Sequence, residues 1–288
     1  MKQIAHWVAG AGLSIGLALA VVAPTAAQAA AFPVNPGPVV AGRAIIGSGQ
    51  NLPPIAQSTY NVGSYMAPQV EAYYTGKAIQ DDRADVALAA WRFVRDWVRE
   101  RCGATAAEVR ACKAMVVFDV DETLLNSYSY SVAQDPQFTF NPTTWTAYVD
   151  ACGYAPIPQT RDLFDRVKGL GVPIALVSSG SSDTRAAMVS CLNARGISGW
   201  DRYIMRGDKA SDLSAGEYKA LAREGLKREG FTIVASIGDQ VSDMSYGHLK
   251  RGFLLPNTMY YIHEALPRDD SHAAERRPGP GRPRTARR

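Results

Sequence analysis

The chain has 288 residues, 47% apolar and 20% charged, which suits one fair-sized globular domain with a real core. Its formal net charge of +4 does not describe a basic surface, because residues 267–288 carry seven Arg against Asp269, Asp270 and Glu275. Without that tail and Lys2 the body is slightly negative, so no nucleic-acid-binding face is expected.

Residues 1–29 have the layout of a secretory signal peptide. Lys2 precedes an apolar run from Trp7 to Ala23, and Ala27-Gln28-Ala29 is a small-residue cleavage site. An uncleaved anchor is the alternative; Gly10, Gly12, Ser14 and Gly16 favour removal. No second run is long enough to span a bilayer, so the mature protein is expected to be secreted or periplasmic, without stable membrane insertion. Four cysteines remain: Cys102, Cys112, Cys152 and Cys191. An even count in an exported chain suggests two disulfides. Three pairings are open, and the short local loop favours Cys102–Cys112 with Cys152–Cys191.

Residues 30–67 are rich in Pro, Gly, Ser and Asn and read as an extended arm. The domain is expected over 68–266. A helical pattern runs from about Val70 to Arg101, with Val86, Ala87, Ala90, Val94, Trp97 and Val98 on one face. Ala114–Asp121 is an apolar strand. Residues 126–158 are aromatic and irregular, a small cap or pocket insertion. Apolar strands then alternate with helices: helix 161–171, strand 172–180, helix 183–196, strand 202–205, helix 215–230, strand 231–239, short helix 241–251 and strand 252–257. Continuous apolar strands between helices imply parallel strands covered on both faces, a doubly wound α/β sheet. The Pro/Arg-rich segment 267–288 cannot build a core and is expected to be disordered.

Ligands of such sheets bind at the carboxyl ends of the strands. Here those ends carry Asp119 and Asp121, then Ser178 and Ser179, then Asp239 with Asp243 following. Strands disfavour Asp, and two like charges at a core edge are costly without a partner. Carboxylates gathered from two strands form an all-oxygen site for a hard cation such as Mg²⁺. An Asp carboxylate can also attack phosphorus to form an aspartyl-phosphate, and a second Asp can serve as acid and base.

Four segments carry a resemblance to the haloacid dehalogenase superfamily of phosphatases. "DVDETLL" is similar to its opening DxDxT motif, and "ALVSSG" to its second, which places Ser178 there. "EYKALARE" resembles the third, with Lys219, and "IVASIGDQVSDM" the fourth, with Asp239 and Asp243. The combination with "GFLLPNTMYYI" resembles the exported acid-phosphatase branch, which includes plant vegetative storage proteins and bacterial class B and C acid phosphatases. The likeness covers about residues 70–265.

The resemblance implies Asp119 as nucleophile and metal ligand, and Asp121 as acid/base that meets the metal through its backbone carbonyl. It implies Ser178 as a phosphoryl contact, Lys219 as the phosphate-facing cation, and Asp239 and Asp243 in the metal shell. Thr123 and Gly180 are expected to be structural neighbours. Relatives often continue the second motif with Asn-Arg, where this chain has Ser179-Gly180. Lys209 and Lys227 are nearby alternatives to Lys219. The aromatics of 128–154 either stack a leaving group or pack a satellite core.

Other phosphatase chemistries lack their residues: no Cys is followed by Arg six positions on, and no Arg-His-Gly occurs. The expected function is therefore an exported Mg²⁺-dependent acid phosphatase acting on a small phosphomonoester. Alternatives are a 5′-nucleotidase or phosphotransferase on the same site, and a non-catalytic storage or binding protein on the same scaffold.

Overall fold

A computed structural model describes residues 45–47, 66–207 and 213–262. The expected signal peptide, most of the arm and the Arg-rich tail lie outside the described residues. The fold is a six-stranded sheet in the order β1 (Ile45–Gly47), β8 (Arg251–Leu254), β7 (Thr232–Gly238), β2 (Ala114–Phe118), β5 (Ile174–Ser181), β6 (Arg202–Arg206). Every pairing in it is parallel. The expected α/β class is therefore observed, with one addition. Ile45–Gly47, inside the segment read as an arm, is an edge strand on β8.

β2 is buried at all five positions, as a strand covered on both faces must be. It lies in the middle of the sheet. The chain winds outward through β5 and β6, then returns to the other side for β7 and β8. This reversal between β2 and β7 is the switch point at which such sheets bind ligands.

The helical pattern read from about Val70 to Arg101 is two helices, not one. α1 (Ala67–Thr75) and α2 (Lys77–Arg101) break at Gly76, whose extended backbone (ψ 179°) caps both. A Cβ there would lie 2.7 Å from the Ala72 carbonyl oxygen, so only glycine permits this break. Val86, Ala90, Val94 and Val98 of α2 enter the main core with Leu163, Phe164 and Val167 of α6 (Pro158–Gly169). On the opposite face α8 (Ala215–Arg228) covers Met115, Val117, Ala175 and Val177 through Tyr218, Ala222 and Leu226. Ser214 starts α8 with a capping box: its side chain accepts from Glu217 N at 3.2 Å, and Glu217 accepts from Ser214 N at 2.9 Å.

The insertion is more ordered than its sequence suggests. β3 (Leu125–Asn126) pairs antiparallel with β4 (Ala155–Pro156) and closes its base. Between them lie α4 (Tyr128–Ala133) and α5 (Pro142–Asp150). Asn141 caps α5 by accepting from Thr143 N and Thr144 N, with Pro142 at the first helical position.

The short helix expected at 241–251 is reduced to one 3-10 turn, Val241–Asp243. Side chains take the carbonyls that a longer helix would need: Ser236 Oγ and Arg223 both donate to the Asp243 carbonyl. Tyr246, Gly247 and His248 then run at positive φ, which ends helical winding.

The two expected disulfides are present. Cys102–Cys112 ties the end of α2 to the residue after α3 (Ala106–Ala111), and Cys152–Cys191 ties the end of the insertion to α7 (Arg185–Ala194). Their sequence separations are 10 and 39 residues. Closing the longer loop removes more unfolded-state entropy, so Cys152→Ser/Cys191→Ser should lose roughly 2–4 kcal/mol, about 1 kcal/mol more than Cys102→Ser/Cys112→Ser. Chemical denaturation of the two double variants beside the parent measures both.

Candidate active site

β2 ends at Phe118, and the next residue, Asp119, is 5% exposed. β7 ends at Gly238, followed by Asp239 at 1% exposure. Asp243, in the 3-10 turn, is 2% exposed. One carboxylate oxygen from each of these three residues lies within 4.8 Å of the other two. Gly238 makes this approach possible: a Cβ there would stand 2.0 Å from Asp243 Oδ2.

Lys219 reaches the group from α8 and is 3% exposed. Its Nζ donates to Asp119 Oδ1 at 2.6 Å and to Asp243 Oδ1. Thr123 Oγ1 donates to Asp119 Oδ2 at 3.2 Å and stands 3.4 Å from Asp239 Oδ1. Gln240 Nε2 and Asn257 Nδ2 both donate to Asp239 Oδ2, each at 2.7 Å. Of the alternative lysines, Lys227 is exposed on α8, and Lys209 lies outside the described residues.

Asp121 is set apart from this group. It accepts from Tyr154 OH at 2.8 Å, and Ser178 Oγ stands 3.5 Å from its other oxygen. Its side chain is not among the three clustered carboxylates. Ser178 itself is 1% exposed, and its Oγ accepts from Gly180 N at 3.0 Å. The pocket wall at this strand end is Ser179 and Gly180.

A cavity of about 270 Å³ opens over these residues. Its floor includes Asp119, Asp121, Lys219 and Asp239. Phe140 and Trp145 of the insertion also line it, as do Tyr260 and Ile262. The aromatic stretch packs on itself and also reaches the cavity. Tyr130, Tyr148 and Tyr154 pack around Trp145, with centroids 4.9–5.9 Å apart, while Trp145 also borders the cavity.

Burial dominates the electrostatics. It pushes the Asp119 carboxyl up to about 7 against the pull of Lys219, with Asp239 and Asp121 adding to the rise. Asp239 is raised by burial and by Asp243, and Asp243 by burial against Lys219. Burial works against the Lys219 ammonium, yet Asp119 and Asp243 hold its pKa above the ordinary lysine value. Three buried carboxylates thus share one buried ammonium, and the excess negative charge is what a cation would relieve. The donor set of three carboxylates suits a hard divalent ion, so Asp119, Asp239 and Asp243 could hold one.

Residues 54–263 match the sequence profile of the HAD superfamily, subfamily IIIB (acid phosphatase). The chain belongs to this family. Phosphomonoester hydrolysis is the enzyme class that membership carries. The stem 28 kDa glycoprotein of Glycine max is 31% identical over 199 residues, 66% of this chain and 72% of that protein. Acid phosphatase 1 of Solanum lycopersicum is 34% identical over 151 residues, 51% of this chain and 58% of that protein. Vegetative storage protein 1 of Arabidopsis thaliana is 31% identical over 149 residues, 51% of this chain and 54% of that protein. The matched stretch thus spans little more than half of the tomato and Arabidopsis proteins. Among solved structures, the class C acid phosphatase of Bacillus anthracis shares the fold at a TM-score of 0.57 and 15% identity. That match covers 74% of this chain and 94% of the other.

Sequence reasoning found the acids of the site and its lysine but missed much of what holds them. Arg223, one turn beyond Lys219 on α8, is fully buried. It donates to the carbonyls of Asp243 at 2.7 Å, Gly247 at 3.0 Å and Ser245. Burial lowers its pKa to about 10. The i, i+4 spacing from Lys219 was the available signal, since both side chains share a helix face. Arg223→Met should lower stability by about 3 kcal/mol or more, because it leaves three carbonyls without that donor. Thermal or urea denaturation checks this.

Proposed function

We propose that the protein is an exported, Mg²⁺-dependent acid phosphatase that hydrolyses small phosphomonoesters through an aspartyl-phosphate on Asp119. The observation that carries the reading is Lys219 bridging Asp119 and Asp243 beneath a pocket, with Asp121 held separately by Tyr154. Two kinds of carboxylate are needed for this reaction, and two environments are present.

In the proposed mechanism, an Asp119 oxygen attacks phosphorus while the ester oxygen departs. Asp121, protonated at the outset, gives its proton to that leaving oxygen. Burial raises its pKa, which favours the acid form, while the hydrogen bond from Tyr154 favours the carboxylate that remains. Asp121 then takes a proton from water as the water attacks the phosphoryl group on Asp119. This second step releases inorganic phosphate and restores both acids. Lys219 orients Asp119, favours its ionised form against the effect of burial, and stabilises charge on the transferring group. Ser178 accepts from Gly180 N within an irregular stretch of β5, which places Ser179 and Gly180 on the cavity lining beside the proposed phosphoryl position. Mg²⁺ would be held by Asp119, Asp239 and Asp243, with the backbone carbonyl of Asp121. When bound it would offset the repulsion between carboxylate and phosphate.

Export is supported by the signal-like residues 1–29 and by the two disulfides, which persist in oxidising compartments. Among the described residues no helix is long and apolar enough to cross a membrane. Relatives named as storage proteins raise a non-catalytic alternative. Asp119, with its full set of partners, favours catalysis.

Hydrolysis of p-nitrophenyl phosphate decides between them. We expect turnover with Mg²⁺, loss in EDTA, recovery on adding Mg²⁺, and a loss of at least roughly 1,000-fold in Asp119→Asn. Folded, Mg²⁺-loaded protein without turnover would exclude general phosphatase activity and leave storage or binding.

In kcat/KM, which reports formation of the aspartyl-phosphate and not its hydrolysis, Asp121→Asn should lose about 10²–10⁴-fold on an alkyl phosphate. It should lose much less on p-nitrophenyl phosphate, whose leaving group departs without a proton. Equal losses on both substrates would remove Asp121 from the acid role. Trp145→Ala should raise KM for aryl phosphates roughly 3- to 10-fold, and leave that for alkyl phosphates unchanged. Paired steady-state kinetics read both effects.

A further inference from the structure

Glu122 stands between Asp121 and Thr123 and is fully buried. It adopts a left-handed backbone (φ 54°), a conformation that is unfavourable for a non-glycine residue. Something must therefore hold it there. One carboxylate oxygen, Oε1, accepts from Ser127 N at 2.7 Å and Ser127 Oγ at 2.5 Å. The other, Oε2, has no hydrogen-bond partner and faces Arg83 Nη2 at 3.9 Å.

Arg83 is itself 2% exposed, although α2 is largely solvent-facing on its other sides. Its guanidinium lies 5.5 Å from the centroid of Tyr74, which stacks on Tyr128 with centroids 5.3 Å apart. Its Nε and Nη2 have no acceptor. A buried guanidinium carries a desolvation cost of several kcal/mol, and an aliphatic side chain would pack this helix face without it. The same pair of helices touches the second acidic loop as well. Tyr74 OH donates to Asn257 Oδ1 at 3.4 Å, and Asn257 donates to Asp239.

We propose that Arg83 is a positioning residue, which acts through Glu122 to fix the turn that aims Asp121 at Tyr154 and Thr123 at Asp119. The proposal rests on the phosphatase reading above. Its logic is geometric. Asp121 and Thr123 flank Glu122, so a rotation of the Glu122 backbone out of the left-handed region re-aims both neighbours. Ser127 restrains one carboxylate oxygen, and the Arg83 charge restrains the other. Without Arg83, Oε2 loses the group it faces and the turn is free to relax. Arg83 touches neither substrate nor metal, so its loss should register in kcat and not in KM.

The test compares the parent with Arg83→Met, Arg83→Lys and the double variant Arg83→Met/Glu122→Gln. Thermal midpoint, kcat and KM on p-nitrophenyl phosphate, and Mg²⁺ affinity by calorimetry are read for each. We expect Arg83→Met to lower kcat at least about 10-fold with KM within roughly 3-fold, the size of a small misplacement of reacting groups. Arg83→Lys, which keeps the charge, should recover part of kcat. The double variant removes the unpaired carboxylate, so it should regain the thermal midpoint while kcat stays low.

Recovery of kcat together with stability in the double variant would overturn the proposal, because Arg83 would then only balance a buried charge. Parental kcat in folded Arg83→Met would overturn it as well. If Arg83→Met fails to fold, the double variant carries the same decision. Absence of turnover in the parent would instead overturn the phosphatase reading, and this proposal with it.

Discussion

Three carboxylates meet at the ends of two neighbouring strands with one ammonium between them, and the rest of the structure is arranged around that charge imbalance. Asp119, Asp239 and Asp243 would repel one another apart if they sat on flexible loops. They stay together because each is one short step from a rigid element. Asp119 follows β2, Asp239 follows β7, and Asp243 closes a 3-10 turn whose carbonyl is tied to Ser236 and Arg223. Lys219 is placed against them from α8, whose own face is anchored by Tyr218, Ala222 and Leu226 in the core.

α8 therefore does two jobs with two cations one turn apart. Lys219 meets side-chain carboxylates, and Arg223 meets main-chain carbonyls of the loop that carries Asp243. The chemistry of each residue fits its partner. An ammonium is compact and sits between two oxygens, whereas a planar guanidinium spreads its donors over several carbonyls. The left-handed run Tyr246–His248 is the visible consequence, since a loop whose carbonyls turn inward to Arg223 cannot continue as a helix.

The sheet and the acids were legible in the sequence for the same reason: a buried parallel strand reads as a continuous apolar run, and an Asp directly after it stands out. β2, β5, β7 and β8 lie close to where their apolar runs predicted them, and Lys219 shares its helix face with core residues. What could not be read has a common cause as well. Gly76 splits the first helix by backbone conformation, which an apolar period spanning the break does not register. The turn after Asp243 is set by side chains that come from α8 and β7, distant in sequence. Glu122 lies inside the first motif and Arg83 among the charges of an amphipathic helix, and nothing local marks either as buried. Their meeting depends on how α2 packs across the sheet, which no local pattern encodes.

Counting the charges around the pocket shows why these long-range partners belong to the site. Asp119, Asp121, Glu122, Asp239 and Asp243 are gathered within two loops, and Lys219, Arg83 and Arg223 are the buried cations that face them. The excess is about two negative charges when all five acids are ionised. Two more lysines could cancel it, but each would need its own stem and its own space in a packed core. A single divalent ion carries both charges at one point and shares its oxygen ligands with whatever enters the cavity. The proposed metal dependence rests on this excess. A scaffold that brings its cations from α2 and α8 and still leaves the acids in excess is one whose carboxylates a divalent ion could balance in place of protons.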